Sequence, residues 1–369
     1  MSVEKILSII VPSYNMEKYL PKCLGSLVVA PELMERLEVL VVNDGSKDRT
    51  SEIAHEFAAK WPQTFKVIDK PNGHYGSCIN AALPVATGKY VKVLDADDYF
   101  DTAVLTEYLA FLGSFDEKDS PDVIFSEYRF VDENGKIGSN WASCREMGLP
   151  EGRVFPMNDL RDKQAVCQHH AITYRTAILQ KMGYRQSEGI CYTDNEWSSI
   201  PMSAMKTAAY FPKILYLYLL GREGQSMQTA VWEKNLWMME REAWKIRQFI
   251  KDNEKRGDYD LAYPRQFAYT VFKAVYTIYI FSSSRSRIGL DMGAFDKRLA
   301  QEEPDIYRRL GDEIYSRRIR YRYIRAWRQH APLLGLCIAG CKLYSKVAPR
   351  LYAWYRCEGR AAGGEGKLQ

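Results

Sequence analysis

Apolar positions along the chain follow two alternating rhythms. Residues 6–12 (ILSIIVP) and 37–42 (LEVLVV) are short, nearly continuous apolar runs, the composition of strands covered on both faces in a parallel sheet. Between them Tyr19, Cys23 and Leu27 recur four residues apart, one stripe of a helix. Ile53, Phe57 and Trp61 repeat that spacing ahead of a third run, FKVIDK at 65–70. A glycine-containing loop, a helix near 75–86 and a fourth strand at 90–94 follow. This alternation predicts a doubly wound α/β domain, whose ligands belong at the carboxyl ends of the strands.

Beyond residue 100 the rhythm changes. A helix near 102–112 leads to DVIFSEYRFVDENGKI, which reads as two strands around a turn at Asn134-Gly135. The section 138–158, dotted with Gly, Ser and Pro and containing Trp141, reads as loop. Residues 174–183 and 193–204 have helical composition, and FPKILYLYLL at 211–220 returns to strand composition. Helical patterning then dominates over 231–255, 262–281 and 304–328, before a disordered GRAAGGEGKLQ end.

Composition narrows the class. With 46% hydrophobic and 26% charged residues over 369 positions, the chain can bury a sizeable core in two or three domains. The N-terminus lacks a small-residue cleavage pattern and reads as a first strand rather than a signal peptide. No apolar run reaches the roughly 18 residues of a membrane span. Eight cysteines lie scattered without CxxC pairs, which fits reduced thiols in a cytoplasmic protein. Charge is unevenly spread: twelve Lys/Arg against two acids give residues 317–369 about +10, and a total of +5 leaves the remainder near −5.

Four polar motifs fall at the strand ends of the first domain: VPSYN (11–15), VVNDGSKD (41–48), KPNGHYGSCINAAL (70–83) and VLDADDYF (93–100). In this order and spacing they resemble glycosyltransferase family 2, the inverting nucleotide-sugar enzymes of the GT-A fold, over roughly residues 6–225. Residues two apart in extended backbone project the same way, so Asp95 and Asp97 can converge on one site. By the resemblance this is a DxD motif, with Asp95 near ribose or metal, Asp97 near the metal and Asp98 as a further ligand or support. A divalent Mn2+ or Mg2+ is the implied cofactor, since both favour oxygen ligands. The alternative role for these acids is capping of the next helix, which Asp101 can also fill.

The resemblance makes Asp44 the acceptor for a pyrimidine N–H, with Pro12 and Tyr14 lining the base pocket. An Asn stands at position 43 where the family more often has a second aspartate. Gly73 and Gly76 permit close backbone approach to a ligand. Cys78-Ile79-Asn80 stands where the commoner pattern has Ala-Arg-Asn, so a cation is missing there, and His74 is a candidate substitute. GICYTDNEWSSIP (189–201) resembles the family's acidic segment at a helix start. It implies Asp194 as the base for the acceptor hydroxyl, with Glu196 the runner-up; Thr193 or Asp194 as a plain cap is the competing reading. Arg222 and Gln225 would close over the diphosphate. The adjacent His169 and His170 lack metal-ligand spacing and read as acceptor-pocket or structural residues.

These readings imply a GT-A domain over 1–225, its nucleotide-sugar half at 1–100 and its acceptor half at 101–225. A helical region (226–330) and a basic amphipathic tail (331–369) follow. The expected activity is metal-dependent inverting transfer from a nucleotide-diphosphate donor, UDP-linked by preference, to a hydroxyl of a glycan or lipid-linked saccharide in cell-surface polysaccharide synthesis. Residues 317–357 mix arginines with aromatics and could contact the cytoplasmic face of an anionic membrane. No nucleic-acid-binding motif accompanies them. The competing classes are a sugar-nucleotide nucleotidyltransferase, whose Gly-rich loop after the first strand is not found in VPSYNMEKY, and a non-catalytic anionic-surface protein, which would not need the aspartates.

Overall fold

The computed structural model describes residues 4–138, 144–163, 167–221, 229–282, 284–316 and 319–343. Strand β1 (Leu7–Ser13) leads to helices α1 (Leu20–Gly25) and α2 (Pro31–Met34), then strand β2 (Leu37–Asn43). Helix α3 (Thr50–Lys60), strand β3 (Phe65–Asp69), helix α4 (His74–Ala82) and strand β4 (Tyr90–Val93) follow. Every residue of β1, β2 and β4 is buried, as their continuous apolar runs require. The four strands run parallel in the order β3-β2-β1-β4, so the four motifs gather at one edge.

From β4 the sheet continues in a different construction. Strand β5 (Tyr99–Phe100) precedes helix α5 (Thr102–Gly113), which Asp101 caps by accepting the Val104 N–H at 3.1 Å. Strands β6 (Val123–Val131), β7 (Phe155–Pro156) and β8 (Ile172–Arg175) come next, with helices α6 (Thr176–Lys181) and α7 (Asp194–Ser199) and the long strand β9 (Thr207–Leu219). β8 is antiparallel to both β4 and β6, and β9 is parallel to β6. β5 and β7 pair antiparallel with β9, giving the order β4-β8-β6-β9-β5.

Helices α8 (Thr229–Lys234), α9 (Leu236–Asn253), α10 (Ala262–Phe281), α11 (Met292–Glu302), α12 (Pro304–Gly311) and α13 (Tyr323–Arg328) complete the described chain. Its contacts form two compact units. One comprises Met1–Ser226 and Met238–Val271 and holds the whole sheet. The other comprises Met227–Trp237 and Phe272–Gln369. Within the latter, Arg328 lies 3.5 Å over the Tyr307 ring and donates to Asp296 at 2.8 Å, beside buried Phe295, Leu299 and Leu310. Among the described residues no helix is long and apolar enough to cross a membrane.

Several segments depart from their sequence patterns. Residues after Asn134-Gly135 form no second strand: Gly135 turns with φ +77°, and only an isolated bridge joins Val131 to Ile137. The start of the expected helix at 174–183 is strand β8, because Ile172, Thr173 and Tyr174 fill the gap between β4 and β6. The expected helix at 304–328 is two helices, broken after Gly311, and α11 precedes them with Asp291 accepting the N–H groups of Gly293 and Ala294. Met238–Val271, assigned by its pattern to the helical region, packs with the sheet. Trp141 lies outside the described residues.

Candidate active site

The carboxyl ends of β1 and β2 place three of the expected residues together. Pro12 pairs in register with Val42, and the Asp44 N–H donates to the Ser13 carbonyl at 2.9 Å. Pro12 is buried, whereas Tyr14 is 42% exposed at the rim. The Asp44 carboxylate accepts from Lys70 Nζ at 2.6 Å and from the backbone N–H groups of Gly73 and His74 at 2.9 Å each. It therefore caps the start of α4, and its Oδ2, engaged by one N–H, retains room for a further donor. Lys70 Nζ is held between Asp44 and Ser77 Oγ at 2.6 and 2.8 Å. Asn43 is structural, donating to Asp69 at 2.7 Å and accepting from the Ser46 N–H.

Gly73 and Gly76 owe their glycines to packing against protein. A Cβ on Gly76 would stand 2.1 Å from the Ser187 carbonyl oxygen, and one on Gly73 would stand 2.7 Å from Ser77 Oγ. The close approach at Gly76 is to the Ser187 backbone and the Gln186 Cβ. Asn80 fastens the same contact, donating to the Gln186 carbonyl and to Glu188 and accepting the Gln186 N–H.

The VLDADDYF motif forms a tight turn at the end of β4, closed by the Asp98 N–H on the Asp95 carbonyl. Its carboxylates differ sharply. Asp98 is buried, with one oxygen accepting from Tyr216 Oη at 2.6 Å and the other from the Leu219 N–H at 2.8 Å. Burial and the charges of Asp97 and Asp95 push its pKa well above the carboxylate range. Asp98 thus ties the turn to β9 rather than facing outward. Asp95 accepts from Tyr75 Oη at 2.7 Å and lies 3.3 Å from His169 Nε2. Burial would raise its pKa, but the charge and hydrogen bond of His169, the charge of His170 and the Tyr75 hydroxyl outweigh it and hold Asp95 at about 2. Asp97 is half-buried beside them.

His169 and His170 come from the turn that enters β8. Their rings lie 3.7 Å apart, and His170 is boxed by Tyr128, Tyr216 and Tyr218. Lys92, fully buried on β4, donates to the His170 and Ile172 carbonyls at 2.7 and 3.2 Å. Burial brings the Lys92 ammonium down to about 7. Asp95, His169 and His170 can direct one ligand atom each to within 4.8 Å of one another, the only such metal-capable group among the described residues. Adjacent histidines gave no such signal in the sequence, because their carboxylate partner is 74 residues away.

Helix α7 presents Asp194 in its first turn and packs beside the His169–Ala171 turn. The charge of Asp194 reaches these groups: it adds to burial and Asp95 in raising the Tyr75 hydroxyl, and with Asp95 it outweighs the burial that would lower His169. Thr193 does not cap α7; its hydroxyl donates to Gln186 Oε1 at 2.9 Å. The capping acceptor is Glu242 of α9, fully buried, which takes the Asn195 backbone N–H at 3.0 Å and the Asn195 side-chain amide at 2.9 Å. Burial and the charge of Asp194 push the Glu242 pKa well up. Glu196 is buried behind the helix, accepting the Ser187 N–H at 2.9 Å, and burial raises it to about 7. Glu242 is a residue the sequence offered no sign of. Arg222 and Gln225 lie outside the described residues, as does the tail beyond position 343.

Residues 8–183 match the family model described as Glycosyl transferase family 2. The chain is 38% identical to an uncharacterized glycosyltransferase, MG025 homolog, of Mycoplasma pneumoniae, over 27% of this chain and 34% of that protein. It is 33% identical to the minor teichoic acid biosynthesis protein GgaB of Bacillus subtilis, over 62% of this chain and 24% of that one. Against the putative glycosyltransferase EpsH of Bacillus subtilis the identity is 25% over 69% of this chain and 71% of that one. The chain spans less than half the length of the first curated relatives it matches, at 34%, 43% and 28%. The crystal structure of S. aureus TarS 1–349 with UDP-GlcNAc superposes with a TM-score of 0.52 at 24% identity, covering 83% of this chain and 80% of that one. The fold is GT-A: the mixed sheet described above, followed by helices.

Proposed function

Because residues 8–183 match the family model of glycosyltransferase family 2, we propose that the chain transfers a sugar, with inversion, from a nucleotide-diphosphate donor to a hydroxyl of a glycan or lipid-linked saccharide of the cell envelope. The observation that carries this reading is the Asp95–Asp98 turn at the carboxyl end of β4, with the charge of Asp194 acting on Tyr75 and His169, the two partners of Asp95. Asp44 would hold the base through its remaining acceptor capacity, and the exposed Tyr14 ring offers a stacking face. The glycans of GgaB's named pathway support an envelope acceptor, and UDP, bound by the fold neighbour, is the first nucleotide to test.

The acceptor hydroxyl gives its proton to Asp194 as its oxygen attacks the anomeric carbon. The bond to the diphosphate breaks on the opposite face, and the diphosphate leaves with the electron pair. Asp95, Asp97 and the neighbouring histidines are a donor set that suits a divalent cation, since three of their ring nitrogens are buried with no partner among the described residues. Such a cation, when bound, neutralises charge on the departing diphosphate. Asp98 holds the turn to β9, and Arg222 and Gln225 would close over the phosphates. The working domain is taken as 1–225, supplemented by Glu242 from α9.

A screen of nucleotide sugars by thermal shift and donor hydrolysis, with and without Mn2+, tests the reading. One base stabilising the protein and being turned over supports it; no stabilisation by any nucleotide sugar removes it. The tail is proposed as a peripheral membrane contact, supported by exposed Leu333, Leu336 and Leu343 beside its arginines. Equal flotation on anionic vesicles after deletion of 317–369 would refute that contact.

A further inference from the structure

We propose that the cation site of this chain is a mixed carboxylate–imidazole site, Asp95 with His169 and His170, and that it takes transition ions in preference to Mg2+. The inference rests on reading the β4 edge as a nucleotide-sugar site and assigns its metal chemistry. Three observations converge. His169 Nδ1 and both ring nitrogens of His170 are buried and have no hydrogen-bond partner among the described residues. Both histidines are more than nine-tenths buried, at 7% and 8% exposure. Together with Asp95 their ligand atoms cluster within 4.8 Å.

Asp95 Oδ2 already engages His169 Nε2 at 3.3 Å, so Nδ1 is the nitrogen of that ring left without a partner among the described residues. Packing alone explains only part of the arrangement. Tyr128, Tyr216 and Tyr218 would box a phenylalanine as well as His170, and a phenylalanine would leave no ring nitrogen unserved. Lys92 fixes the backbone of the pair by bonding the His170 carbonyl, and the His170 ring is held among the tyrosines without using its nitrogens. Imidazole nitrogen suits the later first-row ions, whereas Mg2+ keeps to oxygen.

The test uses the full chain stripped of metal. Mn2+ is added and its electron spin echo recorded; nitrogen-14 modulation from directly bound imidazole is expected. Its absence on bound Mn2+, or no bound Mn2+ at all, overturns the proposal without recourse to any variant. Co2+ titration then compares wild type with His169→Ala and His170→Phe, and Co2+ affinity should fall at least about tenfold in each, with little change for Mg2+. Unchanged Co2+ affinity in both folded variants also overturns it. UDP is added to the same samples. UDP stabilisation without nitrogen modulation sinks the histidine ligation and leaves the donor reading standing. Nitrogen modulation without any nucleotide binding sinks the donor reading and leaves the metal site standing.

Discussion

Two regions of the molecule each gather three carboxylates, and they resolve the repulsion in opposite ways. At the end of β4, Asp95 is kept ionised, its pKa held at about 2 by His169, His170 and Tyr75, while Asp98 is buried against Tyr216 and Leu219 and pushed up. Around α7 lie Asp194, Glu196 and Glu242, where Glu196 rises to about 7 and Glu242 well above its usual range. Lys245 and Arg241 only partly offset the burial of Glu196. The first cluster is built to keep a charge; the second keeps protons on its buried members, so that the half-exposed Asp194 is its outward-facing acid. Charge retention is what a cation site needs, and stored protons behind a helix are what a base on its first turn can tolerate.

The largest effect that tests this contrast is at Asp194. Asp194→Asn should lower kcat by roughly 10²–10⁴-fold with donor KM nearly unchanged, measured as sugar transfer to an acceptor. A loss confined to KM would move the base elsewhere.

Glu196 gives the next largest effect, through pH. Its folded pKa of about 7 exceeds the ordinary 4.5, so between these values the folded state binds the extra proton and stability falls as pH rises. That slope amounts to roughly 3 kcal/mol across the interval. Urea unfolding between pH 4.5 and 7.5 should show a smaller decline in Glu196→Gln than in wild type; parallel curves would contradict the assignment.

Glu242→Ala ranks third. It leaves the Asn195 N–H and amide without their acceptor and should cost about 1–3 kcal/mol, read as a lower urea midpoint together with a reduced kcat. Glu242→Gln, which keeps an acceptor oxygen, should recover most of the stability. If Ala and Gln behave alike, the capping geometry does not position α7.

How far these features could be read from residues depends on the distance over which each is determined. Strands β1 and β2 announce themselves through unbroken apolar runs because both of their faces are covered locally by the neighbouring helices. Asp101 carries its own cap signal, and the acidic motif sits where a strand end puts it. Only Tyr174 and Arg175 of strand β8 fall within the helix expected at 174–183, and four residues are too few to show a period. Helix α11 and its cap Asp291 lie between the helical stretches that the sequence pattern predicts. His169 meets Asp95, and Glu242 meets Asn195, only through tertiary packing across 74 and 47 residues, and no local pattern encodes such a meeting.

The contact between α4 and residues 186–188 has a consequence for how such a chain can be diversified. Gly76 leaves no room for a Cβ against Ser187, and Asn80 is bonded three times across the same seam. The segment that delivers Asp194 is thus indexed to the helix that Asp44 caps. An exchange of acceptor specificity by recombination therefore has an indivisible cassette, in which residues 184–200 travel with 73–83, and a crossover placed between those two stretches yields a chimera whose halves are out of register.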